Sequence, residues 1–347
     1  MSLVKNLLLL AVSTLIALIA VEVAIRRELV PMPAYVNTTG WWKETWFRTR
    51  QGPIPQEFVK VDADLGWVPA PDLRDHKLGR VGVSTNAAGM RGLRDYPQAR
   101  TGAPRVVVLG DSYAFGQCAE DEETFPQQLE GLLPGSEVLN LGGMGYGHDQ
   151  MLLRWRRDGA PYQPDVVVLG FKKMDISRNR LAFRDYGKPR FRIDGDDLVV
   201  TNVPVPTPEQ YDGALWPPRL ANFAGIFWDS RYWDDAYAEA TRLTNWILRQ
   251  TAREVAEADA RFLLVYLPRL EDLRKNEPYP AYPMKRTCEK VDGILCASAV
   301  ARFRDALDGQ DPRPHFGCHY SPLLYGLVAE EIAETLRREL PEVFGAH

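Results

Sequence analysis

Residues 105–116 read RVVVLGDSYAFG. The apolar run Val106, Val107, Val108, Leu109 does not alternate with polar residues, so it predicts a strand buried on both faces of a parallel sheet. Gly110, Asp111 and Ser112 follow at once, at what would be the carboxyl end of that strand. Three further runs have the same character: EVLNL at 137–141, DVVVLG at 165–170 and RFLLVYL at 261–267. Helical stretches lie between them. One follows Thr124 and Pro126, a second runs from Asp149 to Gly159, and a third runs from about Asp235 to Ala258. A last begins with Ser321 as N-cap and Pro322 in the first turn and stops before Pro341. Strands alternating with helices predict right-handed crossovers and a doubly wound α/β sheet.

In such a sheet, ligands sit beyond the carboxyl ends of the strands. Ser112 is a plausible nucleophile there, because a hydroxyl at a strand-to-helix turn faces the crevice and the positive end of a helix. It could equally be a simple helix cap. Gly145, in the loop LGGMG, could let a backbone N–H approach an oxyanion, or could serve only the turn. His319 is one of five histidines. It stands just ahead of the last helix, where it could act as a base on Ser112 or face solvent.

Outward from this centre, the composition is that of an ordinary globular protein: 45% hydrophobic and 25% charged over 347 residues, enough for one large domain with insertions. A net charge of −4 and pI near 5.8 give no electrostatic pull toward nucleic acid. Residues 7–25, LLLLAVSTLIALIAVEVAI, are apolar but for Ser13, Thr14 and Glu22. As a helix they match the roughly 30 Å hydrocarbon core. An uncleaved anchor over residues 1–27 is expected over a cleaved signal, since Glu22, Arg26 and Arg27 intrude where a cleavage site would fall. Lys5 precedes the span and Arg26 and Arg27 follow it, so charge alone does not orient it. Residues 28–60 read as a juxtamembrane connector. Its Trp41, Trp42, Trp46 and Phe47 suit a membrane interface, a partner, or the domain's own surface. Residues 61–347 form the main domain. Within it, 178–234 is an aromatic-rich insertion holding Trp216, Phe223, Phe227, Trp228 and Trp233, read as packed over one edge of the sheet and roofing the site. The four cysteines, Cys118, Cys288, Cys296 and Cys318, permit two disulfides or remain free thiols.

Taken together, RVVVLGDSYAFG, EVLNLGGMGYGHDQ (137–150), PDVVVLGF (164–171) and CHYSPLLYGLVAEEI (318–332) resemble the ordered sequence blocks of the SGNH (GDSL-type) hydrolases. STNAAGMRG (84–92) and KPRFRIDGDDLVV (188–200) resemble membrane-anchored bacterial members. The similarity spans roughly residues 60 to 345. It implies a flavodoxin-like three-layer α/β/α sandwich with a mostly parallel sheet, with Ser112 as nucleophile and His319 as general base. The backbone N–H groups of Ser112 and Gly145 would form part of the oxyanion hole. If those blocks converge, Cys118 and Cys318 come close enough for a disulfide beside the site, leaving Cys288 to pair with Cys296.

Two positions depart from the family pattern. The asparagine expected to donate to the oxyanion corresponds to Met174, and a thioether cannot donate. The aspartate expected three residues before the histidine corresponds to Phe316, which leaves Asp311 as the nearest substitute for orienting His319. Asn179 and Lys173 are near enough in sequence to replace the missing donor.

The resemblance implies an extracytoplasmic serine esterase or O-acyltransferase, acting on acyl (above all acetyl) esters of carbohydrate. It would sit in the inner membrane with its domain in the periplasm, beside a membrane-bound O-acyltransferase. The alternative is an impaired subunit that binds a glycan or such a partner. A third class, phosphate or flavin binding at LGDSYAFGQ, lacks the Gly/Ser/Thr run such loops carry. No histidine or cysteine pair has metal-binding spacing, and no cofactor is expected.

Overall fold

Val106 and Val108 point to one side of the first central strand and Val107 and Leu109 to the other, and all four are fully buried. That is why the run does not alternate. Each such side chain contributes about 1.5–3 kcal/mol on leaving water. The computed structural model describes residues 2–49, 54–207, 210, 219–274, 278–279 and 282–345. The central sheet is β1 (Arg105–Leu109), β2 (Glu137–Asn140), β3 (Val166–Phe171), β4 (Arg261–Tyr266) and β5 (Leu295–Ser298), all parallel, in the order β5-β4-β3-β1-β2. This is the flavodoxin-like order, with its switch point between β1 and β3. The fifth strand escapes sequence reading because Leu-Cys-Ala-Ser is short and weakly apolar.

The helices that matter are α1 (Ser2–Arg26), α2 (Thr39–Thr49), α3 (Phe125–Leu132), α4 (His148–Arg154), α5 (Arg219–Arg231), α6 (Trp233–Glu257), α7 (Val300–Ala306) and α8 (Pro322–Glu339). α4 and α6 cover one face of the sheet, and α3, α7 and α8 cover the other, which makes three layers. Ser321 caps α8 as expected, its side chain accepting from the N–H of Leu324.

The helix α1 is long and apolar enough to cross a membrane and is exposed along most of its length, as an anchor or a signal sequence would be. Its last turn is not exposed. Ile25 is buried, and the buried Glu22 carboxylate accepts the N–H groups of Arg219 (3.0 Å) and Leu220 (2.8 Å), capping the start of α5.

The connector is more ordered than its sequence suggests. Its residues 39–49 form α2, whose Trp42 and Trp46 are buried against Leu181 and Phe183 of the insertion. Those rings therefore pack on the protein itself. The helical part of the insertion, α5, packs on α1, α2 and α6. A two-stranded hairpin, Arg190–Asp194 with Asp197–Thr201, occupies its first half. Trp216 lies outside the described residues.

Candidate active site

The loops after β1 and β2 leave the sheet in register, since Val108 pairs with Asn140. Two glycines let them close on each other. A side chain at Gly142 would collide with the backbone of Ala114 and Phe115, and the N–H of Gly143 donates to the carbonyl of Gly110 at 3.0 Å. Ser112 opens a single helical turn, Ser112–Phe115, that ends on Gly116 in the left-handed region. Asp111 caps this turn, its carboxylate accepting the Tyr113 N–H at 2.9 Å.

His319 reaches this turn from the loop before α8. Its Nε2 lies 2.7 Å from Ser112 Oγ, across 207 residues of sequence. Its Nδ1 meets sulfur: Cys118 Sγ at 3.2 Å and Cys318 Sγ at 3.3 Å. Those two cysteines are joined in a disulfide with a Cα–Cα separation of 6.2 Å, and a second disulfide links Cys288 and Cys296. Cys118, Cys318 and His319 hold their ligand-type atoms within 4.8 Å of one another. With both sulfurs in a disulfide, no thiolate is free there for a metal.

The expectation for Asp311 is corrected. Its carboxylate is exposed and taken up by the backbone N–H and guanidinium of Arg313. Phe316, at the position of the missing acid, packs against Phe303 and Tyr320. A sulfur pair therefore occupies the place beside Nδ1. Divalent sulfur is a weak acceptor, yet it favours the tautomer with the proton on Nδ1, which leaves Nε2 free to accept from serine. Asn179 does not supply an oxyanion donor either. It is buried, with Nδ2 donating to Thr244 Oγ1 at 2.7 Å and lying 3.3 Å from His148 Nδ1. Met174 is partly exposed at the cleft. Gly145 has φ +78°, and a side chain there would strike the ion pair of Arg184 and Asp185.

A buried charge network stands behind the serine, and sequence reasoning did not assign it a role. Arg178 Nη1 donates to Asp111 Oδ2 (3.2 Å), to the Tyr146 carbonyl (2.9 Å) and to the carboxylate of Asp175. Burial, and then the nearby Asp111, push Asp175 well above the usual carboxylate range. Lys172, fully buried, donates to the Pro268 carbonyl (2.8 Å) and Tyr320 Oη (3.0 Å), and its ammonium sits 3.7 Å from the centre of the Tyr113 ring. Burial lowers it to about 7, although Asp111, Asp175 and Asp272 oppose the shift. The network fixes Asp111 and, through it, the turn that carries Ser112. Its sequence signal is Lys172, Asp175 and Arg178 standing directly after the wholly apolar strand β3.

Burial also lowers His319 to about 4 from an ordinary value of 6.5; Asp111 opposes this, and Lys172 and Arg178 add to it. Among the described residues no carboxylate touches the ring to restore its basicity. The ring is therefore neutral, and able to accept a proton, down to low pH. For any Ser112-dependent turnover, the acid limb of kcat/KM is expected near pH 4. A limb near pH 6.5 would contradict the burial of the ring as the cause of its lowered basicity. By linkage, the unfolded chain takes up this proton first, so this contribution to stability is present above about pH 6.5 and falls as pH drops toward about 4.

No protein-family model matches this chain, and no curated protein matches it by sequence. Among solved structures, it is similar to a protein assigned to the lipolytic G-D-S-L family from Desulfitobacterium hafniense DCB-2. The identity is 14%, covering 67% of this chain and 99% of that one, with TM-score 0.39. It is also similar to Axe2, an acetylxylan esterase from Geobacillus stearothermophilus (16% identity, 67% and 94% coverage, TM-score 0.40), and to TesA (14% identity, 68% and 99% coverage, TM-score 0.40). Likeness this distant leaves activity to be read from the site itself.

Proposed function

We propose that this chain is a serine esterase or O-acyltransferase acting on acyl, above all acetyl, esters of carbohydrate, anchored in the inner membrane by α1 with its domain in the periplasm. The observation that carries the reading is the 2.7 Å contact between His319 Nε2 and Ser112 Oγ. Ser112 Oγ attacks the ester carbonyl while Nε2 takes its proton. The backbone N–H groups of Ser112 and Gly145 stabilise the oxyanion. As the tetrahedral intermediate collapses, His319 returns the proton to the departing alkoxide, leaving an acyl-Ser112 ester. Water or a sugar hydroxyl then attacks that ester with His319 again as base. Two disulfides suit an oxidising compartment, and the docked last turn of α1 suits an anchor that stays attached.

The reading is tested by treating the full chain in detergent with a fluorophosphonate and measuring intact mass. The expected result is one adduct, mapped by peptide sequencing to Ser112 and absent from the Ser112→Ala variant. A second reading is favoured by Met174 and Phe316: a domain with weakened chemistry that holds a glycan or a membrane-bound O-acyltransferase. An unmodified Ser112, together with no turnover of p-nitrophenyl acetate, would move the assignment there.

A further inference from the structure

A cleft next to the loop that follows β3 shows charge of only one sign. It encloses about 640 Å³, bounded by Tyr35 of the connector, Trp233 of α6, and Met174 and Arg178 after β3, with Arg184 and Arg269 completing its charged wall. Among the described residues no carboxylate lines it. The acids that pair with these arginines stand elsewhere: Asp111, Asp175 and Asp185 are fully buried, and Glu271, the partner of Arg269, does not line the cleft. The guanidinium groups are also under-used. Buried Nε atoms of both Arg184 and Arg269 have no hydrogen-bond partner.

This wall reaches the reacting groups. Arg178 bonds to Asp111, the residue before Ser112, and the Arg184 guanidinium lies against the backbone of Gly145. At the rim, Tyr35 and Trp233 are 61% and 39% exposed. Aromatic rings with a polar edge suit the apolar C–H faces of sugar rings, and guanidinium forks suit planar carboxylates. The volume lies in the range of pockets that enclose small ligands.

We infer that this cleft binds an acidic saccharide, its sugar rings against Trp233 and Tyr35 and its carboxylate on Arg269 and Arg184. This names the substrate class of the proposed esterase or transferase and rests on that reading. The test uses the full chain carrying Ser112→Ala in nanodiscs of zwitterionic lipid, titrated calorimetrically with tetragalacturonate, maltotetraose and inorganic phosphate. Tetragalacturonate should bind at least about tenfold more tightly than maltotetraose, as expected for a charge-assisted contact. Arg269→Gln should weaken it by about tenfold. Arg184→Lys keeps a cation opposite Asp185 but loses the fork, and should weaken binding in the same direction.

Equal binding of the neutral sugar, indifference to Arg269→Gln, displacement by inorganic phosphate at matched concentration, or no binding at all would each overturn the inference. Because Ser112 is absent from the titrated protein, failure here shows in the titration. Failure of the catalytic reading shows separately, as turnover retained by Ser112→Ala.

Discussion

Replacing Ser112 by alanine is expected to lower kcat/KM for p-nitrophenyl acetate by about 10³–10⁴. The size of the fall follows from what the site has and lacks. Removing the nucleophile from a complete serine triad costs about 10⁶ in kcat. This site lacks a side-chain oxyanion donor, because Met174 stands where one is expected, and such a donor is worth about 10²–10³. The wild type therefore starts lower, and the variant has less to lose. His319→Ala should match it, since a base and nucleophile 2.7 Å apart act as one unit. The double variant should be no worse than either single one. Steady-state rates on the full chain check this. Turnover that survives Ser112→Ala would place any activity outside this pair.

The second large effect is expected at Cys118–Cys318. Substituting both cysteines with alanine should lower unfolding free energy by about 2–5 kcal/mol, since the bridge closes a loop of 200 residues. It should also cut kcat by about tenfold or more, because His319 Nδ1 loses the only acceptors found beside it among the described residues, the two sulfurs that favour the productive tautomer. The distant pair Cys288 and Cys296, substituted in the same way, closes a loop of 8 residues and should leave kcat unchanged. Denaturant titration and turnover, measured on both variants, separate tethering from general stiffness. Equal kcat in all forms would remove the disulfide from the site's working parts. Thiol titration of the native protein should find no free cysteine.

The parts legible in the sequence were those with a local cause. The runs VVVL and DVVVLG have the composition of doubly buried strands, and Ser321-Pro322 is a helix start whatever surrounds it. Ser112 and His319 could be named because each lies where a strand-to-helix or loop-to-helix junction must open on the crevice. What was hidden depends on long-range contact. Asp311 looked available as an acid because sequence gives its distance along the chain and not the Arg313 side chain that occupies it. Asn179 looked like a donor until burial gave its amide to Thr244. The ionic group behind Ser112 joins Asp111 to Arg178, 67 residues apart, and no periodicity encodes that meeting. The sequence leaves Trp42 and Trp46 open to a membrane interface, a partner or the domain's own surface, and only their burial against Leu181 and Phe183 decides among these.

Glu22 has one more implication. A domain on a loose tether sweeps a volume and meets substrate by chance at many heights. Here the carboxylate of the proposed anchor grips the first amides of α5, so the stalk ends inside its own cargo with no slack between them. If α1 spans a bilayer, this grip would hold the cleft that α6 borders in one attitude to it, so that what it could reach would be a layer at fixed elevation. A chain shortened to begin after residue 31 would lose that grip and bare two amides at the head of α5. Its behaviour would describe a detached head and not the mounted one.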